Sequence, residues 1–211
     1  MIHYLYRDQL ERHPELGASM YRDRAFQFKD RLDWDVSVDE NGFELDEYDH
    51  LNPLYIIWKD AAGRHGGSLR VMPTVGRTMT AEHFLDLTDG VRISSPFIWE
   101  CTRFCLAPGA SSSVAGALLA AGLELGLRFG LEQAVGVIYT RVLGLYRRFG
   151  HVPEVIGTKG EGNERISVCI WDVTEEARNE ICRRSGVPEA MIQSWFDASF
   201  PSRFRQSAAV A

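Results

Sequence analysis

A predicted β-hairpin near the middle of the chain is the feature that most constrains the fold. Two apolar segments, 54–59 and 68–72, flank a turn rich in glycine and polar residues, which is the pattern of an antiparallel hairpin. Strand and helix patterns alternate around it, with strands predicted at 3–6, 95–106, 134–139, 152–156 and 166–173 and helices at 14–32, 80–87, 111–129, 141–149, 175–184 and 189–196. This order predicts an α/β fold with one mixed, twisted sheet and helices on both of its faces.

The length and the apolar content predict a single domain. The chain has 211 residues, of which 45% are hydrophobic, and no linker separates two apolar cores. A chain of this length buries roughly 70% of its unfolded surface, so it folds without disulfides or a structural metal. We expect one domain over residues 1–205 and a frayed tail at 206–211.

The sequence predicts neither a membrane span nor a secretion signal. The longest apolar run, 114–123, is ten residues long, whereas a membrane span needs about twenty. The N-terminus lacks the basic start and the unbroken apolar core of a secretion signal. These observations predict a cytoplasmic protein.

Charge is distributed unevenly along the chain. The net charge of −6 argues against a nucleic-acid-binding protein. The first fifty residues carry thirteen acidic and six basic side chains, and the remainder is nearly neutral. There, Arg128, Arg141, Arg147 and Arg148 have only Glu132 as an acidic neighbour, which indicates either a surface for an acidic partner or ordinary solvated helix faces.

The sequence contains no pattern typical of a metal site or a covalent nucleophile. Cys101 and Cys105 have a C-x₃-C spacing without a second Cys or His pair at zinc-finger spacing. The serines at 111–113 are better explained as a helix cap than as a nucleophile. We therefore expect no metal and no cofactor.

A long acidic segment, residues 33–53, shows neither helical nor strand periodicity. A loop of about twenty residues is uncommon in a compact domain unless it acts as a lid or a binding loop. Charged and aromatic residues are dense before, within and after this segment. They are Arg24, Phe28, Trp34, Asp46, Asp49, Arg70, Phe84 and the run Trp99-Glu100-Cys101-Thr102-Arg103-Phe104.

This set of residues resembles the pattern of the acyl-homoserine-lactone synthases, the autoinducer synthases of quorum-sensing bacteria. The spacing of Arg24, Phe28 and Trp34 matches the N-terminal motif of the family, and Asp46 and Asp49 match its pair of acids. The remaining residues match its strand arginine, a helix phenylalanine and its Trp-Glu-x-[Ser/Thr]-Arg-Phe run. The resemblance extends over residues 21–172.

The resemblance implies a fold similar to that of the GNAT acetyltransferases and an acyltransferase with two substrates. One is S-adenosylmethionine, which is consumed rather than kept as a cofactor. The other is an acyl thioester, usually on acyl carrier protein and occasionally on coenzyme A. The amine of S-adenosylmethionine attacks the thioester to form an amide, and its carboxylate then closes the lactone and expels 5′-methylthioadenosine.

The resemblance also implies which side chains bind S-adenosylmethionine. Aromatic faces stabilise a cation such as the sulfonium, acids accept hydrogen bonds from cationic groups or orient arginines, and an arginine binds a carboxylate through two hydrogen bonds. Either Arg24 or Arg103 is expected to bind the substrate carboxylate. The full expected set is Arg24, Phe28, Trp34, Asp46, Asp49, Arg70, Phe84 and Arg103.

Glu100 is the candidate general base, acting on the amine either directly or through a relaying water. An ion pair with Arg103 is the structural alternative. Because Glu100 and Arg103 are three residues apart, they lie on opposite faces of a regular strand. Both can line one cleft only if a β-bulge or a strand end reorients one of them.

The acyl pocket is assigned by the same resemblance to Trp99, Thr102, Gly136, Ile138 and Tyr139. Members that favour 3-oxo acyl chains carry threonine at the position of Ile138, so an unsubstituted chain is expected here. Gly136 either leaves room for a longer chain or allows close packing within the sheet.

Three arginines, Arg141, Arg147 and Arg148, are expected to dock the acidic acyl carrier protein. They follow the acyl-pocket strand on a short predicted helix, where Arg141 and Arg148 lie two turns apart and so share a face. No nucleic acid partner is expected.

Two alternatives remain open. A GNAT-type N-acyltransferase that uses acyl-coenzyme A and another amine needs a basic phosphate-binding turn before a helix, and the turn at 107–111 contains no basic residue. A non-catalytic ligand-binding regulator is the other alternative. The presence of Glu100 and the complete set of motif residues counts against it.

Overall fold

In the computed structural model, which describes residues 1–201, the fold is organised around a seven-stranded sheet. Its strands are β1 (Ile2–Tyr6), β2 (Leu54–Lys59), β3 (His65–Pro73), β4 (Ile98–Leu106), β5 (Gln133–Tyr139), β6 (Glu154–Lys159) and β7 (Ile166–Asp172). They lie in the order β1-β2-β3-β4-β5-β7-β6, and all neighbours are antiparallel except β4 and β5. The predicted hairpin is confirmed as β2 and β3.

Helices cover both faces of the sheet, as predicted. They are α1 (Arg7–Leu10), α2 (Pro14–Ala25), α3 (Met79–His83), α4 (Ser112–Phe129), α5 (Leu143–Phe149), α6 (Glu175–Ser185) and α7 (Glu189–Ser199). Side chains alternate along β2, so that Leu54 and Ile56 pack with α4, α6 and α7 whereas Tyr55 and Ile57 pack with Met20 of α2. β2 is therefore buried on both sides.

The two parallel strands separate soon after they meet. β4 and β5 pair only from Ile98–Gln133 to Glu100–Val135. A Cβ added to Gly136, the next residue of β5, would lie 2.7 Å from the carbonyl oxygen of Cys101. Of the two roles expected for Gly136, the geometry supports close packing. Past this point the strands leave a wedge in the middle of the sheet.

A β-bulge interrupts β4 beside this wedge. Ser68 of β3 pairs with Cys105 and Arg70 pairs with Thr102, so two residues of β4 lie opposite one residue of β3. One of the two, Arg103, has a φ of 53°, a left-handed conformation that is uncommon for residues with a side chain. The bulge that the sequence required is present, and Arg103 is the residue it reorients.

Close contacts explain two of the glycines inside α4. A Cβ at Gly116 would lie 2.3 Å from the Cβ of Ser185, and one at Gly126 would lie 2.7 Å from Cγ1 of Val173. A helical glycine costs about 1 kcal/mol relative to alanine, and here the close approach of α6 and of the segment after β7 compensates. Gly130, with a φ of 69°, ends the helix.

α4 is also, by length and composition, the one helix within residues 1–201 that is apolar enough to cross a membrane. Of its 18 residues, 61% are buried inside the fold. Leu118, Ala120 and Ala121 are fully buried in the main core against the sheet. The apolar composition of α4 is thus accounted for by its place in the core.

Two sequence expectations need adjustment. The helix predicted over 14–32 is α2 followed by a wider π-helical turn, Phe26–Arg31. Arg141 lies in a 3₁₀ turn, Thr140–Val142, that precedes α5, so the prediction that it shares a helical face with Arg148 is wrong. The predicted domain end at 205 and the predicted tail at 206–211 lie outside the described residues.

Candidate active site

Two cavities meet at the wedge between β4 and β5. The first has a volume of about 450 Å³ and the second of about 300 Å³. Five residues line both of them, namely Trp34, Arg103, Val137, Ile138 and Tyr139. The two cavities therefore have a common wall, and a group bound in one lies next to a group bound in the other.

The acidic segment forms much of the first cavity. Residues 34–37 and 44–48 line it, together with Met79, His83 and Phe84. Of the residues expected to bind S-adenosylmethionine, Trp34, Asp46, Phe84 and Arg103 lie in this lining. The sequence predicted that this long loop has a binding role, and its position at the cavity agrees with that prediction.

Beneath the first cavity lies a buried cluster of alternating charges, which begins at Arg24 of α2. The Arg24 guanidinium donates to Glu44 Oε2 at 2.6 Å and to both carboxylate oxygens of Asp49 at 2.9 and 3.1 Å. The Tyr55 hydroxyl also donates to Asp49, at 2.5 Å. Arg24, Glu44 and Asp49 are each at most 1% exposed, so Arg24 holds the loop rather than facing the cavity.

The other half of the cluster joins the sheet to the same loop. Arg70 of β3 donates to Asp46 at 2.5 and 2.8 Å and to Thr102 Oγ1 at 3.0 Å. Arg103 of β4 lies 2.9 Å from Glu44 and 2.8 Å from Asp46. Three arginines thus face three acids, and only Arg103 of the three arginines also lines the cavities. Of the two candidates for binding a substrate carboxylate, the geometry favours Arg103.

Pairing outweighs burial in setting the ionisation of this cluster. Burial alone would raise the pKa of Asp49, but Arg24 and Arg70 hold it well below its usual range. Burial would lower the pKa of Arg24, but Asp49 and Glu44 raise it. Both groups are therefore charged at neutral pH.

An aromatic stack supports the wall between the cavities. Phe28 stacks on Trp34 with ring centroids 4.9 Å apart and planes 10° apart, and the Arg103 guanidinium lies 5.4 Å from the Phe28 centroid. The Trp34 indole N–H donates to the Tyr139 hydroxyl at 2.5 Å. Phe28 is 2% exposed and lines only the second cavity, so it supports Trp34 instead of facing the first cavity.

Glu100 lies behind the first cavity. Its carboxylate accepts hydrogen bonds from the backbone N–H groups of Met79, at 2.9 Å, and Thr80, at 2.6 Å. It is 1% exposed and is not part of either lining, whereas Met79 lines the first cavity. The alternative of a Glu100–Arg103 pair is wrong, because Arg103 pairs with Glu44 and Asp46.

The second cavity is mainly apolar and extends to α4. Residues of β4, α4, β5, α5 and β7 line it, among them Leu118, Leu119, Leu123, Tyr146 and Trp171. A cavity lined by leucine and aromatic side chains suits a hydrocarbon chain.

The residues expected at the acyl pocket divide into two groups. Thr102, Ile138 and Tyr139 line the second cavity. Trp99 does not, and instead packs edge-on against Phe129 with centroids 5.4 Å apart. Gly136 also lies outside the lining, at the point where the strands part.

The three arginines expected to dock a carrier protein occupy two different places. Arg147 and Arg148 are exposed near the end of α5. Arg141 is exposed as well, but its guanidinium stacks on the Tyr139 ring, 4.2 Å from the ring centroid. Arg148 lies 3.3 Å from Ser112 Oγ at the start of α4. Folding therefore brings a basic group next to the turn at 107–111, which contains no basic residue of its own.

Several residues at the site were not predicted from the sequence. Glu44 binds two of the cluster arginines, and Met79 and Val137 line the first cavity. The Tyr48 hydroxyl, also at this cavity, donates to Glu82 at 2.8 Å. Glu44 had a signal, since it lies two positions before Asp46 in the same acidic run, whereas the others depend on tertiary contacts.

One cluster of possible metal ligands occurs within residues 1–201, at the edge of the first cavity. It consists of Glu47, Glu82 and His83, all exposed. Arg77 and Tyr48 already bind the Glu82 carboxylate, and Arg77 lowers the pKa of Glu82 to about 2. These contacts account for the cluster without a metal.

We expect Glu44→Ala to destabilise the fold strongly, because it leaves the buried Arg24 and the partly buried Arg103 with one acceptor fewer. Breaking a buried pair costs about 3–5 kcal/mol of unfolding free energy, measurable by urea denaturation. Glu180→Ala is the matched control, since Glu180 also pairs with two arginines, Arg183 and Arg184, but on an open helix surface. Equal losses in the two variants would contradict this role of the cluster.

Known proteins resemble the chain over most of its length. A family model described as autoinducer synthase matches residues 8–181. An acyl-homoserine-lactone synthase from Rhizobium etli is 37% identical over 183 residues, which cover 83% of this chain and 86% of the relative.

Solved structures agree with this family. MesI, described as a CoA-dependent acyl-homoserine lactone synthase, superposes with a TM-score of 0.80 at 27% identity, over 89% of this chain and 96% of MesI. BjaI, solved with SAM and isopentyl-CoA, superposes with a TM-score of 0.79 at 23% identity, over 89% of this chain and 90% of BjaI. A putative N-acetyltransferase from Lactobacillus plantarum superposes with a TM-score of 0.55 at 13% identity, over 82% of this chain and 99% of that protein. This likeness confirms the GNAT-like fold alone. The chain belongs to the autoinducer synthase family, as an enzyme of the acyl-homoserine-lactone synthase type.

Proposed function

We propose that the enzyme uses S-adenosylmethionine as its amine substrate, held in the first cavity, and an acyl thioester whose chain occupies the second. The amine nitrogen forms a bond to the thioester carbon, the carbon–sulfur bond breaks, and the thiol leaves with a proton. The substrate carboxylate then bonds to its own γ-carbon, the bond from that carbon to the sulfonium breaks, and 5′-methylthioadenosine leaves.

The common wall of the two cavities is the observation that carries this proposal. An amide can form only if the amine and the thioester carbon come within reacting distance, and a polar and an apolar cavity meet at Trp34, Arg103 and Tyr139. BjaI, a protein of the same fold, was solved with SAM and isopentyl-CoA, and these are the two types of ligand proposed here.

The chemistry of the first cavity suits the charges of S-adenosylmethionine. Arg103 offers a guanidinium to the carboxylate, while Trp34 offers an aromatic face to the sulfonium. Asp46 and Glu47 add negative charge at the lining that favours the cationic groups. Arg24, Asp49 and Arg70 act beneath the cavity, by holding Asp46 and Arg103 in place.

Glu100 is proposed as the proton acceptor, through a relaying water rather than by direct contact. Its carboxylate lies behind Met79 and accepts a hydrogen bond from the backbone N–H of that residue. General bases act over one hydrogen bond or through one water. The position of this buried acid behind Met79, a residue that lines the first cavity, supports the second route.

The acyl chain is proposed to be unsubstituted at its 3-position. Ile138 lines both cavities near the reacting end and has no group that can hydrogen-bond a 3-oxo oxygen.

Acyl carrier protein is the proposed donor, and coenzyme A is the alternative. Arg147 and Arg148 present an exposed basic surface on α5, which suits an acidic carrier. The description of MesI as CoA-dependent favours the alternative. Arg148 beside the N-terminus of α4 suits the phosphate of the pantetheine arm, which both donors carry, so it does not separate them.

The purified enzyme is expected to convert S-adenosylmethionine and a saturated acyl thioester into equal amounts of acyl-homoserine lactone and 5′-methylthioadenosine. Mass spectrometry of the reaction measures both products. Release of 5′-methylthioadenosine without lactone, or lactone from another amine substrate, would contradict the proposed reaction. Octanoyl groups on carrier protein and on coenzyme A serve as parallel donors.

We expect Glu100→Gln to lower kcat about 100-fold or more while S-adenosylmethionine affinity is retained. In Glu100→Ala, whose shorter side chain leaves room for a small carboxylate, added formate should restore part of the activity. Thr78→Ala is the control, because Thr78 Oγ caps α3 by accepting from Ala81 at 3.4 Å, so its loss loosens α3 without removing the carboxylate. Equal losses in Glu100→Gln and Thr78→Ala, together with no rescue of Glu100→Ala by formate, would make Glu100 a structural residue that holds α3.

Reversing both exposed arginines of α5, Arg147→Glu with Arg148→Glu, is expected to raise the KM for acyl carrier protein about tenfold or more at low salt. The effect should shrink as salt rises, because docking charges are screened. Affinity for S-adenosylmethionine should not change. Reversal of the exposed Arg12 and Arg64 is the charge-matched control. An unchanged KM for the carrier, with activity on acyl-coenzyme A lost, would move the donor assignment to coenzyme A.

A further inference from the structure

One glycine of α4 has no packing reason to be a glycine. Gly122 lies in the middle of the helix with ordinary helical backbone, and a Cβ added to it would meet no atom within 4 Å apart from the adjacent backbone of α4 itself. Gly116 and Gly126 of the same helix would clash with Ser185 and Val173. A helical glycine is costly relative to alanine, and at Gly122 no close contact of the protein compensates for that cost.

The space beside Gly122 belongs to the second cavity. Gly122 lines this cavity together with Leu118, Leu119 and Leu123, on the same side of α4. None of these α4 residues lines the first cavity, and none belongs to the common wall. A chain that enters from the common wall therefore has α4 at the side of the cavity away from the reacting group.

We infer that Gly122 determines how large an acyl group the enzyme accepts, because it leaves open the volume that a side chain at this position would fill. This inference rests on the proposed function, in which the second cavity holds the acyl chain. The class of substrate it assigns is a thioester whose hydrocarbon reaches α4. A larger residue at 122 shortens the available cavity from that side and leaves the reacting end unchanged.

Stability is the first test. Gly122→Ala is expected to raise Tm by about 2–4 °C, since the added methyl favours the helix and meets empty space. Gly126→Ala should lower Tm, because its Cβ would lie 2.7 Å from Val173. A fall in Tm for Gly122→Ala would show that the space is not open and would overturn the inference.

Acyl preference is the second test, measured as kcat/KM over saturated acyl thioesters from butanoyl upward. The quantity compared is kcat/KM for the longest chain that the wild type accepts, divided by kcat/KM for butanoyl. This ratio is expected to fall about tenfold or more in Gly122→Leu, and less in Gly122→Ala. Gly144→Ala is the matched control, because Gly144 is also helical, also has no atom within 4 Å of an added Cβ, and lies outside the cavity. Its ratio should equal that of the wild type.

The outcomes separate the inference from the proposed function. If the wild type forms no lactone from any thioester, the proposed function fails. If the wild type is active and a folded Gly122→Leu keeps the wild-type chain profile, only the inference fails. If Gly122→Leu does not fold, the ratio of kcat/KM for long and short chains is measured in Gly122→Ala, where a smaller fall is expected. An unchanged ratio in that variant overturns the inference.

Discussion

The buried cluster of three arginines and three acids is the interaction on which the candidate site depends. Removing a single charge from water costs several kcal/mol, so a buried charge is tolerated only with partners. Here every charge has one, and the partners come from α2, the acidic loop, β3 and β4. The pairing converts a loop without periodic structure into a fixed cavity wall. It also leaves Arg103 as the arginine that both belongs to the cluster and reaches the cavities.

The second constraint lies in the backbone of the sheet. β4 and β5 part after three residue pairs, and the bulge in β4 places Arg103 in the opening. Each strand keeps a hydrogen-bonded partner on its other side after the two part, since β4 continues to pair with β3 and β5 with β7. The sheet thereby opens a wedge without leaving long unpaired edges in its interior. The left-handed backbone of Arg103 is a local cost of this arrangement.

Local patterns predicted the strand and helix order, the hairpin and the two covered faces, because alternation along β2 and the apolar side of α4 are properties of short segments. Most residues of the S-adenosylmethionine set lie at the first cavity or in the cluster beneath it. What could not be predicted depends on remote contacts. Trp99 packs on Phe129 of α4, and Arg148 reaches Ser112 from a helix thirty-six positions later. The role of Glu44 as a partner of two arginines arises only when α2, the loop and β4 are brought together.

The common wall explains why two cavities of opposite polarity adjoin in so small a protein. In the proposed reaction, a polar substrate needs charges nearby, an acyl chain needs a surface without them, and a thin boundary lets the two react. Trp34 and Tyr139 meet this requirement, because each has an apolar ring with one polar atom, and these polar atoms bond to each other at 2.5 Å. The rings can face hydrocarbon on one side, while the Tyr139 hydroxyl accepts from Trp34 and donates to Glu164 Oε2 at 3.3 Å. Phe28 stacks on Trp34, and the Arg103 guanidinium lies over the Phe28 ring. The arginine that joins the charged cluster to both cavities therefore supports the boundary through Phe28.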